Sequence, residues 1–121
     1  LDYPRVNPDQ PIYPDVLAKA KALTESWGGK FALVYIPQDA RFRGLFNKSF
    51  VYDRLRGKVL NAAAASNIEV IDLTEKFAEA DEPTELYAPD AHFSPAGAQL
   101  AAEAVEEWIA SVEAINPPAS E

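Results

Sequence analysis

The chain has 121 residues, 48% apolar and 25% charged, the balance of one globular domain rather than of a disordered segment. Lys and Arg number 11 and Asp and Glu 19, a formal charge of −8 that argues against non-specific nucleic-acid binding and disfavours an anionic membrane surface as partner. The absence of Cys excludes disulfides, thiolate nucleophiles and Cys-bound zinc, and leaves the redox compartment open. No apolar run approaches the ~18 residues that span a bilayer, and no secretory signal opens the chain. Because the first residue is Leu1, the chain is expected to be a piece of a longer protein. Its single His is His92, so imidazole chemistry has one address.

Residues 1–14 carry Pro4, Pro8, Pro11 and Pro14, a spacing that excludes helix and sheet interior; an extended arm or linker is expected there. A helix is expected over residues 15–27, with Val16, Leu17, Ala20, Leu23 and Trp27 on one stripe and Gly28-Gly29 as its stop. Residues 31–36 form a continuous apolar run closed by Pro37, which reads as a strand covered on both faces. A polar loop over residues 38–48 follows, with Arg41, Arg43 and Gly44. Ser49 can cap a second helix to about Ser66, buried along Val51, Leu55, Val59, Ala62 and Ala63 and broken by Asn67. Residues 68–73 read as a second strand, and residues 74–79 as a turn or two of helix. Residues 81–95 are a loop with Pro83, Pro89 and Pro95. Ser94 caps and Pro95 opens a last helix to about Ala114, with Leu100, Ala101, Ala104, Val105, Trp108, Ile109 and Val112 on its stripe. Trp27 and Trp108 are expected in the core.

The alternation of helix and strand implies an α/β layered fold with a parallel sheet. The expected division is an arm at 1–14, the domain at 15–116 and a tail at 117–121. Two strands do not make a stable sheet, which usually has about four to six. Either a weak strand hides in the arm, or further sheet comes from missing sequence or a second chain. A homodimer paired through an open sheet edge is one expected outcome.

In open parallel sheets ligands bind beyond the carboxyl ends of the strands. The segments there are residues 38–48, Thr74 and the loop 81–94 that holds His92. Asp90 and His92 are separated by one residue, and in extended backbone i and i+2 point to one side. The carboxylate can then orient the imidazole, leaving the second ring nitrogen as a general base. The plainer reading is a surface His beside an acidic residue.

The string Leu86-Tyr-Ala-Pro-Asp90-Ala-His92-Phe-Ser94-Pro-Ala-Gly97-Ala-Gln-Leu-Ala-Ala-Glu resembles the C-terminal block of SGNH/GDSL-type hydrolases, in the subset that reads D-x-H and includes relatives of polysaccharide O-acetylation enzymes. Residues 67–73 look like that family's last strand and residues 31–37 like the strand before it. In element order the resemblance runs from Asp15 to Ala114, and it is specific from Tyr87 to Ala101. It implies a three-layer α/β/α sandwich of flavodoxin-like type, with Asp90 as triad acid and His92 as triad base. It also implies an ester-linked substrate, small-molecule or O-acetyl carbohydrate, and an extracytoplasmic, periplasmic parent. The G-D-S nucleophile block and the G-x-N-D block of the family are absent from these 121 residues. Of Ser26, Ser49, Ser66, Ser94, Ser111 and Ser120, four sit in helical or tail positions and Ser49 and Ser94 read as caps. Truncation accounts for both gaps: the chain is expected as the C-terminal portion of an SGNH-like hydrolase, inactive alone, with its Ser upstream of Leu1. The alternative is a non-catalytic SGNH-like module for binding or dimerisation.

Neither a cofactor nor a metal is called for; one His without an H-x-x-x-H pattern is a poor metal site. Arg41, Arg43 and Lys48, beside Phe42 and Phe46, could meet an anionic substrate or partner, or be an ordinary solvated loop. Asp72 could mimic a receiver-domain phospho-acceptor, but the acidic cluster and Lys of that family have no counterpart here. Glu103, Glu106 and Glu107 read as a solvated helix face.

Overall fold

The structure, a computed structural model, describes residues 12–46 and 49–117. In chain order it has α1 (Ile12–Ser26), β1 (Ala32–Tyr35), a 3-10 turn (Asp39–Arg41), α2 (Ser49–Ala65), β2 (Glu69–Asp72), α3 (Thr74–Ala78), a second 3-10 turn (Pro83–Leu86) and α4 (Pro95–Ile115). The α/β class expected from the alternation holds. β1 and β2 pair in parallel as a two-stranded sheet. α1 starts at Ile12, so the last three residues of the expected arm are helical. Pro14 is tolerated because it falls in the first turn, where backbone N–H groups have no acceptor in the helix. The rest of the expected arm, Lys48 and the tail beyond Pro117 lie outside the described residues.

The two helix-to-strand joints use one device. Gly28 takes the left-handed conformation (φ 81°) after α1, its N–H bonding Glu25 O at 3.0 Å while Gly29 N–H bonds Thr24 O at 3.0 Å. Asn67 (φ 52°) does the same after α2: Asn67 N–H bonds Ala64 O at 3.1 Å and Ile68 N–H bonds Ala63 O at 2.9 Å. These are Schellman closures, which satisfy the last helical carbonyls and normally carry an apolar contact between the residues they join. Ala63 and Ile68 make that contact inside a buried cluster. α4 is capped at its other end: Ser94 Oγ accepts the Gly97 N–H at 3.2 Å, with Pro95 at the first helical position.

The chain forms two compact units, and each strand contributes residues to both. The first comprises the described residues up to Leu33 together with Phe50–Val70. Its core is Leu17, Ala62, Ala63 and Ile68, with Phe31, Leu33 and Val70 packed against it. The expected helix stripes are only partly buried. Val16, Leu23, Val51 and Leu55 are exposed, and Trp27, expected in the core, is 69% exposed. Two four-residue strands offer too little surface to cover both helix faces. The same shortage corrects the reading of residues 31–36 as covered on both sides, since Val34 and Ile36 are exposed.

The second unit comprises Val34–Ser49 and the described residues from Ile71 onward. Leu73, Phe77, Leu86, Tyr87 and Ala104 are its buried core, flanked by Phe42, Ile71, Ala80, Phe93, Leu100 and Ala101. Trp108 is half-buried on α4. Gly97 lies so close to Leu86 that an added Cβ would sit 2.0 Å from the Leu86 carbonyl oxygen. Backbone cannot swing aside as a side-chain tip can. Gly97→Ala is therefore expected to destabilise the protein by about 1–3 kcal/mol, the usual range for overpacking, read as a lowered denaturation midpoint.

Candidate active site

The only His of the chain stands on a short hairpin between the second 3-10 turn and α4. Tyr87 and Phe93 form an antiparallel bridge at its base. Just outside it, Ser94 N–H donates to Leu86 O at 3.0 Å. Inside, Ala88 N–H donates to His92 O at 2.7 Å and Ala91 N–H to Ala88 O at 2.9 Å. Ala91 occupies the left-handed region (φ 66°), which costs a residue with a Cβ roughly 1–2 kcal/mol and is reached here by closing so tight a loop.

The structure brings Asp90 and His92 together. His92 Nδ1 lies 3.0 Å from Asp90 Oδ2, and the His92 N–H donates to Asp90 Oδ1 at 3.2 Å. The route differs from the extended i, i+2 arrangement expected from sequence. The left-handed Ala91 folds the chain back, and the carboxylate engages both the amide and the ring of the residue two positions on. Those two hydrogen bonds, the amide first, hold the Asp90 carboxyl below its usual value of 3.8. The pair is open to solvent, with side chains 84% exposed for His92 and 70% for Asp90. With Nδ1 on the carboxylate, Nε2 is the nitrogen left for proton transfer.

Three of the chain's serine hydroxyls are committed to backbone carbonyls. Ser94 Oγ donates to Glu85 O at 2.6 Å while capping α4. Ser26 and Ser111 donate to helix carbonyls one turn back. Asp72, at the end of β2, accepts the Thr74 N–H at 3.0 Å and so starts α3. The basic loop is not a free cationic patch: Arg43 pairs with Asp39 at 2.8 Å, and Phe42 packs on the core while Phe46 is exposed. Glu107 pairs with Lys76 at 2.7 Å, which ties α4 to α3. Among the described residues no three His, Cys, Asp or Glu side chains gather as metal ligands. Among them, too, no helix is long and apolar enough to cross a membrane.

One participant was missed in the sequence. The Tyr87 hydroxyl, buried, donates to the Pro37 carbonyl at 2.5 Å. Burial, with the Asp39 carboxylate adding to it, pushes the phenol up to about 12. The available signal was an aromatic residue with a polar tip, a combination that is usually buried with its tip bonded. Ile36, Pro37, Gln38, Asp39, Tyr87 and Ala91 line an open cleft of about 370 Å³ beside the hairpin.

The chain belongs to the SGNH hydrolase-like family, whose model matches residues 16–120, a stretch that includes the hairpin and the closing helix. The model is described as the SGNH hydrolase-like domain of acetyltransferase AlgX. Comparison with curated proteins gave no match, and neither did comparison with solved structures.

The Asp90 shift has a definite sign. A carboxyl held below its ordinary value in the folded hairpin stabilises the turn at pH above 3.8, and that contribution is lost as pH falls through the lower folded value. Asp90→Ala is expected to remove it at neutral pH. Protection of the His92 amide against exchange, relative to its intrinsic rate at each pH, should fall in the variant, and in the parent should fall only below pH 3.8.

Proposed function

We propose that the chain carries the acid and base of a serine-type acyl-transfer centre, in which His92 is the general base and Asp90 its orienting partner. The observation that carries this reading is the 3.0 Å contact between Asp90 and His92 Nδ1, on a hairpin within the stretch matched by the family. The nucleophilic Ser and the oxyanion donors come from outside these 121 residues. A three-layer α/β/α sandwich completed by further strands accounts for the exposed apolar faces of α1 and α2 and for a sheet of two strands. The chemistry is transfer or hydrolysis of an ester-linked acyl group, with acetyl on a carbohydrate hydroxyl as the proposed substrate and an extracytoplasmic setting for the parent.

The steps are those of a Ser-His-Asp acyl-transfer centre. His92 Nε2 takes the proton of the Ser hydroxyl as its oxygen attacks the acyl carbonyl. The tetrahedral intermediate collapses, the C–O bond to the leaving alcohol breaks, and imidazolium returns the proton to that alcohol. An acceptor hydroxyl, or water, then repeats the sequence on the acyl-enzyme. Asp90 keeps Nδ1 protonated and the ring in one orientation throughout.

The 121-residue chain alone is expected to hydrolyse p-nitrophenyl acetate no faster than free imidazole. The product of the full reading frame should turn over acetyl esters, and His92→Ala should lower its kcat by about 10²–10⁴-fold, the usual worth of a positioned base. Robust esterase turnover by the chain alone would refute a nucleophile supplied from outside. A full-length protein that lacks turnover but still binds glycan or a partner would make this a non-catalytic module.

A further inference from the structure

The Asp90–His92 couple is assembled from bonds inside the hairpin, so nothing within it sets where the pair stands relative to the rest of the unit. The base of the hairpin is fixed toward α4 by the Ser94 N–H to Leu86 O bond and by the close seating of Gly97 on Leu86. Contact with the segment leaving β1 is made by the Tyr87 phenol, which reaches a carbonyl 50 residues away in sequence.

We propose that Tyr87 is a positioning residue of the Asp90–His92 couple: its hydroxyl, bonded to the Pro37 carbonyl, seats the hairpin that bears the couple against the C-terminal end of β1. The catalytic meaning of this tie rests on the function proposed above; its structural content does not.

Three observations bear on it. The phenol is held in one orientation by aromatic contacts on several sides. Its ring centroid lies 6.2 Å from Phe42, 5.8 Å from Phe77 in an edge-on arrangement and 6.3 Å from Phe93. Offset and edge-on pairs of this kind fix a ring as well as bury it. Next, donor and acceptor are both enclosed. Tyr87 is 6% exposed and Pro37 is among the fully buried side chains, so loss of the hydroxyl leaves a buried carbonyl without this donor. Finally, residues 36–39 after β1 and Tyr87 and Ala91 of the hairpin line one cleft, so the two segments that the bond joins share its wall. The phenol titrates only at about 12, and a carbonyl does not titrate, so the tie persists wherever an imidazole can act as a base.

Tyr87→Phe tests this, because it keeps the ring and its packing and removes one oxygen. In the chain itself, amide exchange at Ala88, Ala91 and His92 in the hairpin and at Arg41 and Phe42 in the turn after β1 is expected to accelerate together by about tenfold, with α4 amides within about twofold of the parent. In the full-length protein kcat should fall by about tenfold while KM stays within about twofold. Tyr87→Phe should add little to His92→Ala. Unchanged exchange in the hairpin would overturn the proposal. So would acceleration spread equally through α3 and α4, the mark of a ring that only packs. A loss confined to KM in an active protein would overturn the positioning role. If the full-length protein transfers no acyl group, the proposed function falls, and the exchange measurement still decides whether the phenol seats the hairpin.

Discussion

The second unit is organised around one carbonyl. Leu86 O accepts the Ser94 N–H at 3.0 Å, and the same oxygen leaves no room for a Cβ on Gly97. The first bond closes the hairpin just outside its Tyr87–Phe93 bridge; the second approach lets the first turn of α4 settle onto the 3-10 turn. Ser94 serves both, giving its N–H to Leu86 and its hydroxyl to the cap of α4. A glycine three residues after a capping Ser is thus a packing requirement. The buried Leu73, Phe77, Leu86 and Ala104 cluster depends on that approach for its closure.

Much of this was legible in the sequence, and the reasons are local. Ser94-Pro95 announced α4 because capping and the first-turn preference for proline act within one turn. Gly28 and Asn67 announced helix ends because few residues accept a positive φ without strain. Asp90 and His92 were legible as a pair because a carboxylate two residues before an imidazole reaches it in more than one backbone conformation. The extended conformation was the wrong one, since closure of the 88–92 loop puts Ala91 in the left-handed region, and nothing about alanine signals that.

What stayed illegible depends on partners far along the chain. The burial of Tyr87 and its bond to Pro37 cross 50 residues, and no periodicity encodes a single long-range hydrogen bond. The stripe on α2 was read correctly as apolar, and its expected burial holds for Ala62 and Ala63 but not for Val51 and Leu55. Periodicity reports which face a helix would bury, and says nothing about whether enough sheet is present to cover it. Val16, Leu23 and Trp27 on α1, and Phe50, Val51 and Leu55 on α2, remain exposed beside a sheet of two strands. The same shortage of covering surface underlies the reading of the chain as part of a larger layered fold.

The Schellman closures that hand α1 toward β1 and α2 toward β2 leave little slack in the backbone. After α2 the distance from the last helical residue to the first strand residue is Ser66, Asn67 and Ile68, all three bonded back to the helix. An extra residue there would break two hydrogen bonds and rotate every following strand side chain to the opposite face. The loop after β1 has no such geometric debt, with Gly44, Leu45 and Phe46 standing exposed at its tip. Length variation, epitope tags and inserted domains belong at that tip, and the joints after the helices are where the fold tolerates none.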